Sequence, residues 1–449
     1  MPSARTIRRA LAMATALPVV LAGVLVSTSA PASAKSDFSI KPFMGWSSWS
    51  VQSSSNPAYG TKWLTEANVK SATDSMATNL KHAGYTNINL DAGWNANWNW
   101  EFRTDANGIP EADPERFPHG IASLARYVHS KGLKIGLYGG AGLQTAIYDK
   151  NAPIAGTDCT TQDITVIPLT KTNMWGGDWK IDFTKPCARA YFNSMADKFA
   201  SWGVDFIKVD GVTTDNIPDI KAWSQAIDQS GRKMWLTASA WPVPRDAGEG
   251  LQPWANSVRV DTDVECYCNT VSTWTSSVDN RWEDLPNWLD VVRPNYWPDL
   301  DSMPINNNTG AGIQDGITDT ERQSVMTFWS MASSPLYVGG DLAKIDQQAK
   351  SILTNPEVIA VDQVGVIPTR VAAGTLQVWK KRLRDGRLAV AVYNLGDAAA
   401  DIPVTWDQLG VRGSKKVRDL VSRENLGRAN KSWTATAVPA HGSRLITLS

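Results

Sequence analysis

The stretch Trp202-Gly203-Val204-Asp205-Phe206-Ile207-Lys208-Val209-Asp210-Gly211 decides the reading of the fold. A helix-like segment, Tyr191 to Trp202, runs into it, and a short apolar run, Phe206 to Asp210, ends on a carboxylate. A helix followed at once by a short buried run is the building unit of a parallel sheet. Lys208 and Asp210 are two residues apart, so on a strand both side chains point to one face.

Working outward, the same unit recurs through residues 41–345. Apolar runs occur at Phe43 to Trp46, Asn87 to Asp91, Lys134 to Tyr138, Met234 to Ser239, Ser257 to Val260, Trp288 to Val292 and Leu336 to Val338. Helical segments lie between them near Val69 to His82, Ile121 to Val128 and Ile220 to Ile227. With Phe206 to Asp210 there are eight strand candidates, which predict a closed (β/α)8 barrel. An open doubly wound sheet is the alternative architecture, and the lack of a Gly-rich phosphate loop opening a helix counts against it. The pattern changes near residue 365. Runs at Leu376 to Lys380, Arg387 to Tyr393, Ala400 to Trp406, Lys415 to Leu420 and Ser443 to Leu448 predict a small antiparallel β-sandwich. The expected division is a leader at 1–34, a barrel at 35–363 and an all-β domain at 364–449.

The leader reads as a secretory signal. Arg5, Arg8 and Arg9 precede an apolar run from Ala10 to Val26, and Ala32-Ser33-Ala34 is a small-residue cleavage site. Export to an extracellular location is therefore expected. No later stretch approaches 18 continuous apolar residues, so no membrane partner is expected. The 449 residues carry 44 basic and 44 acidic side chains, and zero formal net charge gives no electrostatic footprint for nucleic acid. Four cysteines, Cys159, Cys187, Cys266 and Cys268, allow three pairings. Cys159 with Cys187 is the expected one, worth roughly 3–4 kcal/mol in the chain-entropy model. Cys-x-Cys is too close for the usual zinc spacing, and only four histidines exist, His82, His119, His129 and His441. No metal or organic cofactor is expected. The 21 tryptophans suit either a large aromatic core or platforms that stack on sugar rings.

In such a barrel the active site lies at the C-terminal ends of the strands. Those ends carry Trp46 and Trp49, Asp91 and Trp94, Tyr138, Lys208 and Asp210, Trp241, Arg259, Asp261 and Asp263, and Asp299 and Asp301. A lone Asp there would read as a helix cap. Acids at four strand ends, interleaved with aromatics, fit glycoside cleavage better. A retaining glycosidase needs one carboxylate as nucleophile and a second carboxyl as acid/base. Lys208 would hold Asp210 charged, while acid crowding at Asp261 and Asp263 would raise one of that pair.

The motifs Gly45-Trp46-Ser47-Ser48-Trp49, Leu90-Asp91-Ala92-Gly93-Trp94, Gly132 to Tyr138, Trp202 to Gly211, Arg259 to Val264, Trp297-Pro298-Asp299-Leu300-Asp301 and Phe328 to Leu336 occur in order. Together they resemble glycoside hydrolase family 27, the α-galactosidase and α-N-acetylgalactosaminidase family, across residues 41–363. The resemblance implies a barrel followed by a β domain, with Asp210 as nucleophile. It implies that the acid/base lies four residues after an Arg, which selects Asp263 over Asp261. It further implies that Lys208 and Arg259 contact substrate and that Trp49, Asp91, Tyr138 and Asp301 surround the sugar; Trp241, at its strand end, is also expected to bind substrate. The expected partner is an oligosaccharide or polysaccharide.

The departures bear on the sugar. Family α-galactosidases carry two adjacent acids at the second strand end, whereas this chain has Asp91-Ala92. Ser239-Ala240-Trp241-Pro242 stands where a Cys-Glu-Trp or Cys-Ser-Trp loop reads the 2-position, and Val212 replaces a frequent disulfide cysteine. The leading expectation is a secreted retaining α-galactosidase. The alternatives keep the mechanism and change the sugar, to isomaltose release from an α-1,6-glucan or to β-L-arabinopyranoside cleavage. A carbohydrate-binding protein without catalysis would have no need of both Asp210 and Asp263.

Overall fold

The computed structural model describes residues 39–308 and 313–449. The leader at 1–34 lies outside the described residues. Eight parallel strands form one sheet: β1 (Met44–Ser47), β2 (Asn87–Leu90), β3 (Lys134–Gly140), β4 (Phe206–Asp210), β5 (Trp235–Ala238), β6 (Ser257–Arg259), β7 (Trp297–Asp299) and β8 (Leu336–Val338). Their order is β8-β1-β2-β3-β4-β5-β6-β7. A parallel bridge between Met303 and Val338 closes the ring, with Met303 N donating to Tyr337 O at 2.6 Å. The expected barrel is thus present.

Strand alternation sorts the side chains into two shells. Ile207 and Val209 of β4 pack outward, in one core with residues of the surrounding helices such as Phe199 and Trp223. Phe206 instead joins Phe43, Trp235, Trp297 and Tyr337 in an aromatic plug inside the barrel. Phe43 lies edge-on to Phe206 at 5.1 Å and stacks on Tyr337 at 5.4 Å. Gly136 of β3 makes room for this plug. A Cβ there would fall 2.3 Å from Asn89 Oδ1 and 2.6 Å from the Phe206 ring. Above the plug, Lys208 pairs in register with Tyr138 and Thr237, and Asp210 with Gly140.

The helix Pro186–Trp202 has proline in its first turn and stops at Gly203, whose φ of +86° is one that L side chains rarely adopt. That stop delivers the chain directly into β4. Cys159 is bonded to Cys187 at the start of this helix, as expected, and Cys266 is bonded to Cys268.

Trp288 to Val292 is not the seventh strand. Leu285–Trp288 is a helical turn, and the buried Trp288, Val291 and Val292 have the i, i+3, i+4 spacing of a helix face. The seventh strand is Trp297–Asp299, only three residues long and interrupted by Pro298, which lies opposite Val258. A proline inside so short a run hides it from strand patterning.

After the barrel, β9 (Thr369–Ala372), β10 (Leu376–Arg382), β11 (Leu388–Asn394), β12 (Ala400–Thr405), β13 (Ser414–Asp419), β14 (Glu424–Asn430), β15 (Ser432–Val438) and β16 (Ser443–Leu448) follow. Six of them form one antiparallel sheet, β9-β10-β11-β16-β13-β14, and β12 pairs with β15. Strands β9, β14 and β15 were absent from the sequence pattern; β14 is exposed almost throughout and carries no apolar alternation. Strand β11 is buried on both faces. Val390 and Val392 fill the sandwich, while Ala389, Ala391 and Tyr393 join the barrel core. The contact is aromatic: Phe328 of the helix Asp319–Ala332 stacks on Trp282 at 4.3 Å and meets Trp379 and Tyr393 edge-on, each at 5.4 Å. The sheet therefore buttresses the barrel. No helix among the described residues is long and apolar enough to cross a membrane.

Candidate active site

A pocket of about 260 Å³ opens at the C-terminal ends of the barrel strands. Its lining includes Trp49, Asp91, Tyr138, Lys208, Asp210, Trp241 and Asp263. Seven of the nine residues expected from sequence therefore meet in one cavity. The remaining two, Arg259 and Asp301, border a smaller chamber of about 20 Å³ that shares Trp49, Asp91 and Lys208 with the first.

On one side stand Lys208 and Asp210. Lys208 Nζ lies 2.9 Å from Asp91 Oδ2 and 3.8 Å from Asp210 Oδ2. Burial opposes the ammonium, but the two carboxylates outweigh it and push Lys208 above its ordinary range. The same ammonium sits 5.5 Å from the Tyr138 ring centre. Asp210 Oδ1 accepts the Gly211 amide at 2.9 Å. Gly211 has φ +74°, and a Cβ there would lie 2.5 Å from the Trp175 ring. The glycine thus lets Trp175 lie over the backbone beside Asp210. Asp91 is buried and held by three contacts: its amide donates to Ser48 Oγ, its Oδ1 accepts the Ala92 amide, and its Oδ2 accepts Lys208.

Asp263 faces a different setting. It lies four residues past Arg259, the last residue of β6, and Arg259 Nη1 binds its Oδ1 at 2.9 Å. Arg259 Nη2 binds Asp301 Oδ2 at 2.9 Å, so one buried guanidinium joins two acids. Burial is the largest influence on Asp263 and raises its carboxyl, with Asp301 adding to the rise and Arg259 opposing it. Asp301 goes the other way, held below the usual carboxylate range despite burial by Arg259, Lys208 and Arg281. Asp301 is fully engaged: its oxygens also accept the Val264 amide, the Ser302 amide and the Tyr337 hydroxyl. It braces Arg259 from beneath the pocket.

Asp261 and Asp263 do not share a face. Strand β6 ends at Arg259, so alternation no longer applies. Asp261 turns away, accepting Thr262 N at 2.6 Å and Asn280 Nδ2 at 2.9 Å, with Arg281 at 3.5 Å. The acid that crowds Asp263 is Asp301, with Glu265 beside it, and not Asp261. Glu265 is buried, accepts Ser50 at 2.5 Å and Ser302 at 3.2 Å, and is pushed well above its ordinary range by burial. The carboxylates of Asp263, Glu265 and Asp301 approach within 4.8 Å of one another, the spacing of a cation site. Arg259 already supplies the positive charge between two of them.

Sequence reasoning missed Trp175, Tyr267, Met174 and Glu265. Trp175 and Met174 come from the long excursion between β3 and β4, which carries no periodic pattern. Trp175, Trp241 and Tyr267 are 49%, 54% and 49% exposed, unusual for such large side chains, and all three line the pocket. Three of the histidines pair with acids, His119 with Glu66, His129 with Asp205 and His441 with Glu321, and none of these lines the pocket.

Comparison with known proteins fits this geometry. The chain matches the alpha galactosidase A family model over residues 41–162 and 180–364, and the alpha galactosidase C-terminal beta sandwich model over 373–448. It is 30% identical to an alpha-galactosidase of Coffea arabica, over 91% of this chain and 94% of that one. The solved structure of a β-L-arabinopyranosidase from Geobacillus stearothermophilus is 28% identical and superposes with a TM-score of 0.81, over 91% of this chain and 96% of that one. That of alpha-galactosidase I from Mortierella vinacea is 26% identical with a TM-score of 0.69, over 92% and 97% of the two chains. A barrel whose strand ends gather these carboxylates, matched by both family models along nearly its whole described length, belongs to glycoside hydrolase family 27 and is a glycosyl hydrolase.

Proposed function

We propose that the chain is an exported, retaining exo-glycosidase that releases α-galactosyl units by double displacement. Asp210 attacks the anomeric carbon and forms a glycosyl ester, while Asp263 protonates the departing oxygen. Asp263 then takes a proton from water, which displaces Asp210. The observation that carries this reading is the contrast inside one pocket. Asp210 stands on one side, 3.8 Å from the Lys208 ammonium and with its Oδ1 accepting the Gly211 amide. Asp263 is raised by burial, which favours the proton an acid must deliver. Lys208, Asp91, Tyr138 and Trp49 hold the sugar, and the exposed rings of Trp175 and Trp241 receive the remainder of an oligosaccharide. The leader residues Arg5 to Ala34 and two disulfides support export, since such bonds persist in oxidising compartments.

A second reading concerns the sugar alone. Ala92 puts a methyl group in the pocket wall where the family α-galactosidases place an acid. β-L-Arabinopyranose has the ring configuration of α-galactose without the hydroxymethyl group, and a wall lacking a carboxylate suits it. The test is parallel hydrolysis of an aryl α-galactoside, an aryl β-L-arabinopyranoside and an α-1,6-glucan, with the first product anomer followed by NMR. Fastest release from the galactoside upholds the main reading. Fastest release from the arabinopyranoside replaces the sugar, and isomaltose from the glucan does the same. A first product of inverted configuration removes the roles given to Asp210 and Asp263. Ala92→Asp is expected to shift the ratio toward the galactoside, as a new charge-assisted hydrogen bond would.

A further inference from the structure

We propose that Tyr267, clamped by the Cys266–Cys268 disulfide, is a positioning residue that aims the Asp263 carboxyl at the leaving-group oxygen. This rests on Asp263 being the acid/base. The loop after β6 runs from Asp263 through Val264 and Glu265 into Cys266-Tyr267-Cys268. Tyr267 has φ +52°, a conformation that bulky side chains rarely take, and its two neighbours are joined to each other. The ring is half exposed, yet its hydroxyl is not free. It donates to Asp263 Oδ2 and accepts Trp49 Nε1 at 3.4 Å. Arg259 holds Oδ1. The carboxyl therefore has one handle on each oxygen, and two handles fix the plane in which its proton lies.

The clamp has no strong stabilising purpose. Loop-closure entropy grows with the length enclosed, and this bond spans 2 positions where Cys159–Cys187 spans 28. What so short a bridge does is restrict the residue inside it. The turn is also docked from outside: Cys268 O accepts Ser55 N at 2.9 Å and Ser54 Oγ at 3.2 Å, from the segment that follows β1 and Trp49. Trp49, Tyr267 and Asp263 thus form one hydrogen-bonded line along the pocket wall. The charged groups facing Asp263 are Arg259 of β6, Lys208 of β4, and Asp301 past β7, with Glu265 on its own loop. Beside these charged groups, Tyr267 is half exposed and lines the pocket.

The test compares Tyr267→Phe, the double variant Cys266→Ser/Cys268→Ser and Asp263→Asn on glycosides with good and poor leaving groups, across pH. Tyr267→Phe deletes one hydroxyl. It is expected to lower kcat about tenfold on the poor leaving group, to lower it less on the activated one, and to leave KM nearly in place. The phenol favours the charged carboxylate, so its loss moves the alkaline limb of kcat/KM to higher pH. The cysteine variant, with a retained circular dichroism spectrum, is expected to show the same two signatures. Tyr267→Phe with wild-type leaving-group dependence and pH limb overturns the proposal. A cysteine variant that folds and behaves as wild type overturns the clamp. Asp263→Asn without leaving-group dependence sinks the assignment of Asp263 itself, whereas its presence beside a silent Tyr267→Phe sinks the role of Tyr267 alone.

Discussion

At the end of β4, Asp210 is held by its own strand. Alternation places Lys208 on the same face, and the next amide, from Gly211, closes on its carboxylate. Past the end of β6, where alternation has stopped, Asp263 is held from both sides: by Arg259, four residues before it and braced by Asp301 from beyond β7, and by Tyr267, four residues after it in its disulfide turn. The two carboxyls share a pocket but not a means of support. A buried arrangement among other acids suits a group that keeps a proton.

The largest test of this contrast is Asp210→Asn. It is expected to remove turnover by several orders of magnitude on every substrate, with the fold and sugar binding kept, because no ester can form. Near-wild-type rates would break the comparison at its first term. Asp263→Asn is expected to cost roughly 10²–10⁴-fold on glycosides with poor leaving groups and much less on activated aryl glycosides, as loss of a general acid does. Equal losses on both would mean that Asp263 gives no proton.

A pH profile sharpens the second term. Burial raises Asp263, so its proton persists above the usual carboxylate range. Values of kcat/KM on a poor leaving group should fall as pH rises through that shifted value, and the fall should vanish in Asp263→Asn. The smallest effect concerns Asp261. Asp261→Asn leaves the buried Arg281 short of a carboxylate and is expected to lower unfolding stability by about 1–3 kcal/mol, read by chemical denaturation. Leaving-group dependence should stay as in the parent. If it changed as in Asp263→Asn, the division of labour drawn between the two acids would fail.

The Asp210 side was open to sequence reasoning because it is written into five consecutive residues with a strand period. The Asp263 side was open only in part. Arg259 and Asp263 could be picked out, but the pairing of Asp261 with Asp263 rested on an alternation that stops at Arg259. Tyr267 and Glu265 gave no signal beyond Cys-x-Cys and a lone acid, since their importance comes from what they touch. The seventh strand was misplaced for a similar reason: Trp297-Pro298-Asp299 is too short and too proline-broken to show a period, while Trp288 to Val292 is apolar at helical spacing. In the β domain, exposed β14 carries no pattern at all.

By itself the sequence determined the alternation of helices with seven of the eight barrel strands, the barrel followed by an all-β domain, and the residues set at strand ends. Those follow from periodicity and from where polar residues interrupt apolar runs, which are local properties of the chain. The tertiary structure decided which acids crowd one another, which cation each carboxylate meets and which aromatic rings rim the pocket. Charge environment depends on distances between residues far apart in the chain. Arg259 and Asp301, or Trp49 and Tyr267, become neighbours only when the barrel closes.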